Sequence, residues 1–285
     1  PIDTARYFME GRSEARLPVA FARARWFVTP SLTLEGVAVP FFRRGRFDSL
    51  GESMSPFNLI NDQALPSRSL ASGQAPVRRE PPPRAWRTMQ GGGRISATVG
   101  RVDVSASVYR GYKSFGDIGL RPAVVPGSTA LVAELVETYP RFTMVAADAE
   151  TVTGAWAWRG ETAWFRGQSF DAGLGVDRKT GAFRVFASVL VHRDEATPQA
   201  AARTNTNLVG SIERRFRRDT WLARIFAVTN PADRSGFFRA LVAWSVNDRL
   251  ALEASAAAFA GSGDDTIARF KDRDFVVTRI RYFLK

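Results

Sequence analysis

Apolar and polar residues alternate with a period of two through most of the chain, the pattern of strands whose two faces meet different surroundings. Ile95, Ala97 and Val99 interleave with Arg94, Ser96 and Thr98, and Val104, Ala106 and Val108 with Ser105, Ser107 and Tyr109. Further on, Phe170, Ala172, Leu174 and Val176 oppose Asp171, Gly173, Gly175 and Asp177. The last stretch, Asp274 to Leu284, sets Thr278, Ile280, Tyr282 and Leu284 against Val277, Arg279 and Arg281. The alternation predicts about thirteen strands, near 17–28, 32–41, 94–101, 104–109, 140–149, 152–165, 169–178, 183–191, 205–216, 221–227, 238–244, 250–258 and 274–284.

The connections alternate in length. Tight turns are expected at 29–31, 101–103, around Glu150, and at 178–181, 217–220 and 246–248. Longer connections fall at 43–92, 111–137, 166–168, 193–204, 230–236 and 261–266. Residues 43–92 have no period and carry Pro56, Pro66, Pro76 and Pro81-Pro82-Pro83 among scattered arginines; residues 1–16 also read as loop. Gly91-Gly92-Gly93 reads as a hinge or bulge. So long a loop counts against a compact soluble domain. A Greek-key sandwich mixes its connection lengths, whereas a transmembrane barrel has short periplasmic turns and long extracellular loops. The expectation is therefore an all-β fold, a transmembrane up-and-down antiparallel β-barrel of about 14 strands. Residues 1–285 are expected to form a single barrel domain, with 43–92 as an extracellular loop within it. Bacterial barrels have an even strand number. The odd count implies that the chain is the C-terminal portion of a longer barrel with an ascending strand before Pro1, or that one strand escapes the pattern.

Tryptophan supports this architecture. Trp26, Trp156, Trp158, Trp164, Trp221 and Trp244 lie on the apolar parity near strand ends, and only Trp86 sits in a loop. Indole rings at both rims of an apolar band, with Tyr282 beside them, suit the level of lipid head groups. Filling a soluble core would favour mid-strand positions instead.

The terminal Tyr282-Phe283-Leu284 resembles the closing strand of bacterial outer-membrane β-barrels, with Lys285 one residue past the bulky residue on which that family usually ends. The stretch Leu32 to Phe42, followed by Arg46-Phe47-Asp48, is similar to one found in porin-like outer-membrane proteins of uncharacterised substrate. So is Tyr139 to Asp148, leading to Arg159-Gly160-Glu161. The resemblance implies a location in the Gram-negative outer membrane. It also implies contact with membrane lipid and lipopolysaccharide, and delivery to the barrel-assembly machinery through the C-terminal strand. It brings no catalytic residues.

The formal net charge is +12, and of 40 basic residues only Lys113, Lys179, Lys271 and Lys285 are lysines. Such an arginine excess reflects either genomic base composition or attraction to anionic solutes and lipids. No run of 18 apolar residues is present, so a transmembrane helix is not expected. With no cysteine and one histidine, neither a disulfide framework nor a zinc site is expected, and no cofactor is implied. Basic residues are dispersed rather than gathered in one motif, so no nucleic-acid partner is expected.

If the apolar parity meets lipid, the other lines the interior. The candidate lumen residues are Arg23, Arg25, Arg94, Arg159, Glu161, Asp171, Arg184, Arg224, Arg239, Glu253, Arg279 and Arg281, with Glu35, Asp177 and Glu213 on the same parity. Nine arginines against six acids leave a modest cationic excess, and guanidinium binds carboxylate and phosphate in a fixed fork. The bland alternative is that these charges pair across strands, Arg239 with Glu253 or Arg159 with Asp171, and only stiffen the wall. The functional expectation is a passive, porin-like channel for small polar, anionic solutes, not an enzyme. The alternatives are a plugged or structural barrel, and a lipid-modifying enzyme using His192, for which nothing singles out a partner serine.

Overall fold

The computed structural model describes residues 17–45, 77–124, 131–196, 201–263, 265 and 267–283. The expectations placed on 1–16, on 46–76 and on Leu284 and Lys285 lie outside these residues. The strands are β1 (Ala22–Thr29), β2 (Leu32–Val39), β3 (Val77–Glu80), β4 (Gln90–Val99), β5 (Val102–Tyr112), β6 (Asp117–Val124), β7 (Leu131–Thr138) and β8 (Arg141–Thr153). They continue as β9 (Trp156–Phe165), β10 (Ser169–Thr180), β11 (Phe183–Asp194), β12 (Thr204–Phe216), β13 (Trp221–Asn230), β14 (Ser235–Ser245), β15 (Leu250–Ala260) and β16 (Phe275–Tyr282). The fold is all-β. Thirteen strands form one antiparallel sheet in the order β1-β2-β4-β5-β8-β9-β10-β11-β12-β13-β14-β15-β16. They are the thirteen that alternation picks out.

The other three strands correct the sequence reading. β3 pairs parallel to β7 and β6 antiparallel to β7, a small separate sheet inside stretches expected to be loop. These strands are short, and Pro122 interrupts β6 where it faces Ala133, which weakens a strand pattern. Ion pairs tie the small sheet together: Arg79 to Glu137 at 3.1 Å and Arg121 to Glu80 at 3.1 Å.

Two local expectations also shift. Glu150 is not at a turn but inside β8, because alternation runs on to Thr153 and Gly154, at φ +61°, makes the reversal. Gly91-Gly92-Gly93 lies inside β4 rather than forming a hinge. A Cβ on Gly92 would lie 2.2 Å from the Val108 carbonyl oxygen, so glycine is what lets the neighbouring backbone come this close.

Three tight turns use glycine at positive φ (Gly100, Gly154, Gly181), but the β12–β13 turn holds Arg217, Arg218 and Asp219 at φ 52°, 57° and 64°. A left-handed residue with a Cβ costs about 1–2 kcal/mol. Arg218→Gly is therefore expected to raise the unfolding free energy by about 1 kcal/mol, after the extra chain entropy of glycine is subtracted. A urea titration of the refolded protein, showing no upward shift in midpoint, would refute this.

Contacts divide the chain into two compact units. The first comprises Pro1–Trp26, Glu35–Gly93 and Val108–Thr143. In it Phe42 packs on Tyr139 and Tyr112 with ring centroids 4.9 and 6.0 Å apart, and Arg141 lies 5.4 Å over the Tyr112 ring. Burial, aided by the nearby Glu137 carboxylate, pushes the Tyr139 hydroxyl up to about 12. The second unit comprises Phe27–Leu34, Arg94–Ser107 and Met144–Lys285. Its packed centre is a chain of rings, Phe226, Phe237, Phe259 and Phe270, with successive centroids 6.2, 4.7 and 5.6 Å apart.

Candidate functional site

In the second unit, register assigns every strand residue to one of two faces. Glu150 lies opposite Arg159, Asp148 opposite Glu161, and Asp171 opposite His192. Arg184 lies opposite Glu213, which lies opposite Arg224; Arg239 is opposite Phe226, and Glu253 opposite Arg279. Following these pairs from strand to strand puts Arg159, Glu161, Asp171, Arg184, Arg224, Arg239, Glu253, Arg279 and Arg281 on one face. Arg94 joins them through Asp148, which it bonds at 3.0 Å. In the first unit, Arg23 and Arg25 share Glu35 across β1 and β2.

Most charges on this face are paired. Arg159 bonds Glu150 at 2.9 Å, and Arg184 donates to Asp177 at 3.0 Å. Arg224 Nε donates to Glu213 at 2.9 Å, while Arg279 and Arg281 share Glu253. Arg239 is buried and donates to Ser255 Oγ at 2.9 Å. The example pairs of the bland alternative, Arg239 with Glu253 or Arg159 with Asp171, are not the contacts described: Arg239 donates to Ser255 and Arg159 to Glu150. Arg159 meets Glu150 because the two are direct cross-strand neighbours, and Asp171 is likewise taken by His192. Glu150 and Asp148 escaped the sequence reading, one mistaken for a turn residue and the other not recognised as facing Arg94.

At the end of this face away from the short turns, the connection after β15 folds back onto the sheet. Its single turn of 3-10 helix, Ala268–Phe270, places Phe270 against Phe259 with 1% of its surface exposed. Asp265 fixes the segment: it accepts from Ser235 Oγ at 2.5 Å, from Asn230 Nδ2 at 3.0 Å and from the Ala268 backbone N–H at 2.8 Å. Asn230 is fully buried beneath it. This fold back onto the sheet has no sequence signal beyond Phe270 in a polar stretch.

The opposite face is apolar and open. Val145, Leu174, Val189, Ile212, Ile225, Val242 and Ile280 all lie on it exposed, Leu174 at 61% and Ile280 at 74%. Trp156, Trp158, Trp164, Trp221 and Trp244 share this face by register, with Tyr282 on β16. Trp221 and Trp244 stack at 5.2 Å, and Trp164 Nε1 donates to Glu195 at 3.0 Å. Trp26 is exposed on β1 in the first unit. The chain matches no protein-family model and no curated protein.

His192 sits on the polar face with Nδ1 at 2.5 Å from Asp171 and Nε2 at 3.0 Å from Asp194. Each ring nitrogen is thus engaged by a carboxylate, so neither is turned toward a hydroxyl as a general base would be. Among the described residues no group of three or more His, Asp or Glu is placed to hold a metal ion.

Proposed function

We propose that this chain forms the wall of a transmembrane β-barrel in the bacterial outer membrane and works as a porin-like channel. The segregation of the two sheet faces carries this reading. A water-soluble sheet turns its apolar face to a core, but here that face is the exposed one and charge sits on the other. Lipid is the partner that such a face fits. The strands β8 to β15 have 10–13 residues, enough for a tilted membrane crossing. Tryptophans near strand ends suit head-group level. Lipopolysaccharide outside and the assembly machinery at β16 are the partners implied by the resemblance.

The paired polar face then lines a water-filled lumen for small polar solutes. Because most of its guanidiniums bond carboxylates, with Arg23 and Arg25 sharing Glu35 and Arg279 and Arg281 sharing Glu253, the channel discriminates weakly between ions, with a mild anion preference. The second reading is a plugged barrel, favoured by Asp265 and Phe270, which pack against β13, β14 and β15.

Planar-bilayer recording in asymmetric salt decides between them. The expected result is stable open steps with a reversal potential close to zero. Folded, inserted protein that conducts nothing would replace the channel by the plugged barrel.

A further inference from the structure

Arginines on the two faces are partnered differently. On the polar face they meet carboxylates or, at Arg239, a serine hydroxyl. On the apolar face, Arg178 and Arg214 lie over rings: Arg178, whose Nε also donates to Thr180 Oγ1 at 3.0 Å, is 4.7 Å from the Trp156 centroid and Arg214 4.9 Å from that of Phe183. In the adjoining turn, Arg217 lies 6.0 Å from the Trp221 centroid. Among the described residues no carboxylate pairs with any of these three guanidiniums.

Arg178 and Arg214 sit at the short-turn end of their strands, and Arg217 in the turn itself. Arg178 and Arg214 are each two residues from the end of β10 and β12, and Phe183 and Trp221 are the first residues of β11 and β13. The turn keeps Arg217 at φ 52°, a conformation glycine adopts without strain. Next to this row, Val185, Ile212 and Ile225 are exposed on the same face. A ligand here must therefore be anionic at one end and apolar beyond it.

We propose that Arg178, Arg214 and Arg217, each beside its aromatic ring, bind the phosphates of anionic phospholipids along the short-turn rim. A guanidinium stacked on a ring still presents its N–H edge, which matches a phosphate oxygen pair. The ring lies level with the glycerol backbone, and the acyl chains run down over the valines and isoleucines. This rests on the reading of the sheet as a membrane wall.

The test is quenching of tryptophan fluorescence in refolded protein by brominated lipid in phosphatidylcholine vesicles. Brominated phosphatidylglycerol is expected to quench at a several-fold lower mole fraction than brominated phosphatidylcholine, with the preference shrinking in high salt. The triple variant Arg178→Gln, Arg214→Gln, Arg217→Gln is expected to be quenched equally by both, and the triple lysine variant to keep part of the preference. Equal quenching of the unaltered protein by both lipids would leave the membrane wall standing and overturn the phosphate site. A preference that survives in the glutamine variant would overturn the assignment to these arginines. No quenching by either lipid would overturn the membrane wall, and the site with it. Each variant is checked for strand content by circular dichroism, and if the triple glutamine variant is unfolded the comparison is made on Arg214→Gln alone, expected to lose part of the preference; full retention there would overturn the role of Arg214.

Discussion

Replacing Phe270 by alanine is expected to lower the unfolding free energy by about 3–5 kcal/mol, the range for emptying a fully buried aromatic site. Its ring is 1% exposed and sits 5.6 Å from Phe259, which continues to Phe237 at 4.7 Å. Little around it can collapse, because Asp265 pins the same segment to Ser235 and to buried Asn230. The urea midpoint of the micelle-refolded variant reads the effect. Trp86→Ala is the control: Trp86 is 82% exposed in a short turn, and its loss should move stability by under about 0.5 kcal/mol. Equal shifts for the two variants would mean that the Phe270 segment is not packed on the sheet. Under the channel reading Phe270→Ala has a second readout, since a loosened segment would widen the lumen and raise single-channel conductance.

That segment marks where the sequence stops being legible. Period-two alternation located the sheet because each strand has one uniform face, so Leu174 beside Asp171 is unambiguous without any knowledge of partners. It misses β3, β6 and β7, since β3 has only four residues and Pro122 lies within β6. Cross-strand partners were harder still. Which carboxylate Arg159 meets depends on register, and a shift of the reversal from Glu150 to Gly154 exchanges every pair in the β8–β9 hairpin. With the turn placed at Glu150 that carboxylate drops out of the strand, and on β10 Arg159 lies opposite Gly175, four residues from Asp171. The fold back at Asp265 and Phe270 has no periodicity at all, since its order comes from three hydrogen bonds to one carboxylate and one buried ring. Face assignment is a property of single strands; pairing and loop placement are properties of the assembled sheet.

Glu253→Gln is the second large effect. The Glu253 side chain is 9% exposed and serves two guanidiniums, Arg279 at 3.5 Å and Arg281 within hydrogen-bond distance. Removing its charge leaves two cations side by side on β16 with only part of their hydration restored. Breaking a buried pair costs about 3–5 kcal/mol, and partial exposure of Arg281 screens some of this, so about 2–4 kcal/mol is expected. The same change adds one positive charge to the polar face, so under the channel reading the reversal potential in asymmetric salt should move toward anions. Combining it with Arg281→Gln should recover part of the stability and return the reversal potential toward its original value, because one guanidinium no longer needs the missing carboxylate. If Glu253→Gln shifts stability by less than about 0.5 kcal/mol, the two arginines are hydrated rather than held by Glu253, and the polar face there is wider and wetter than these contacts imply.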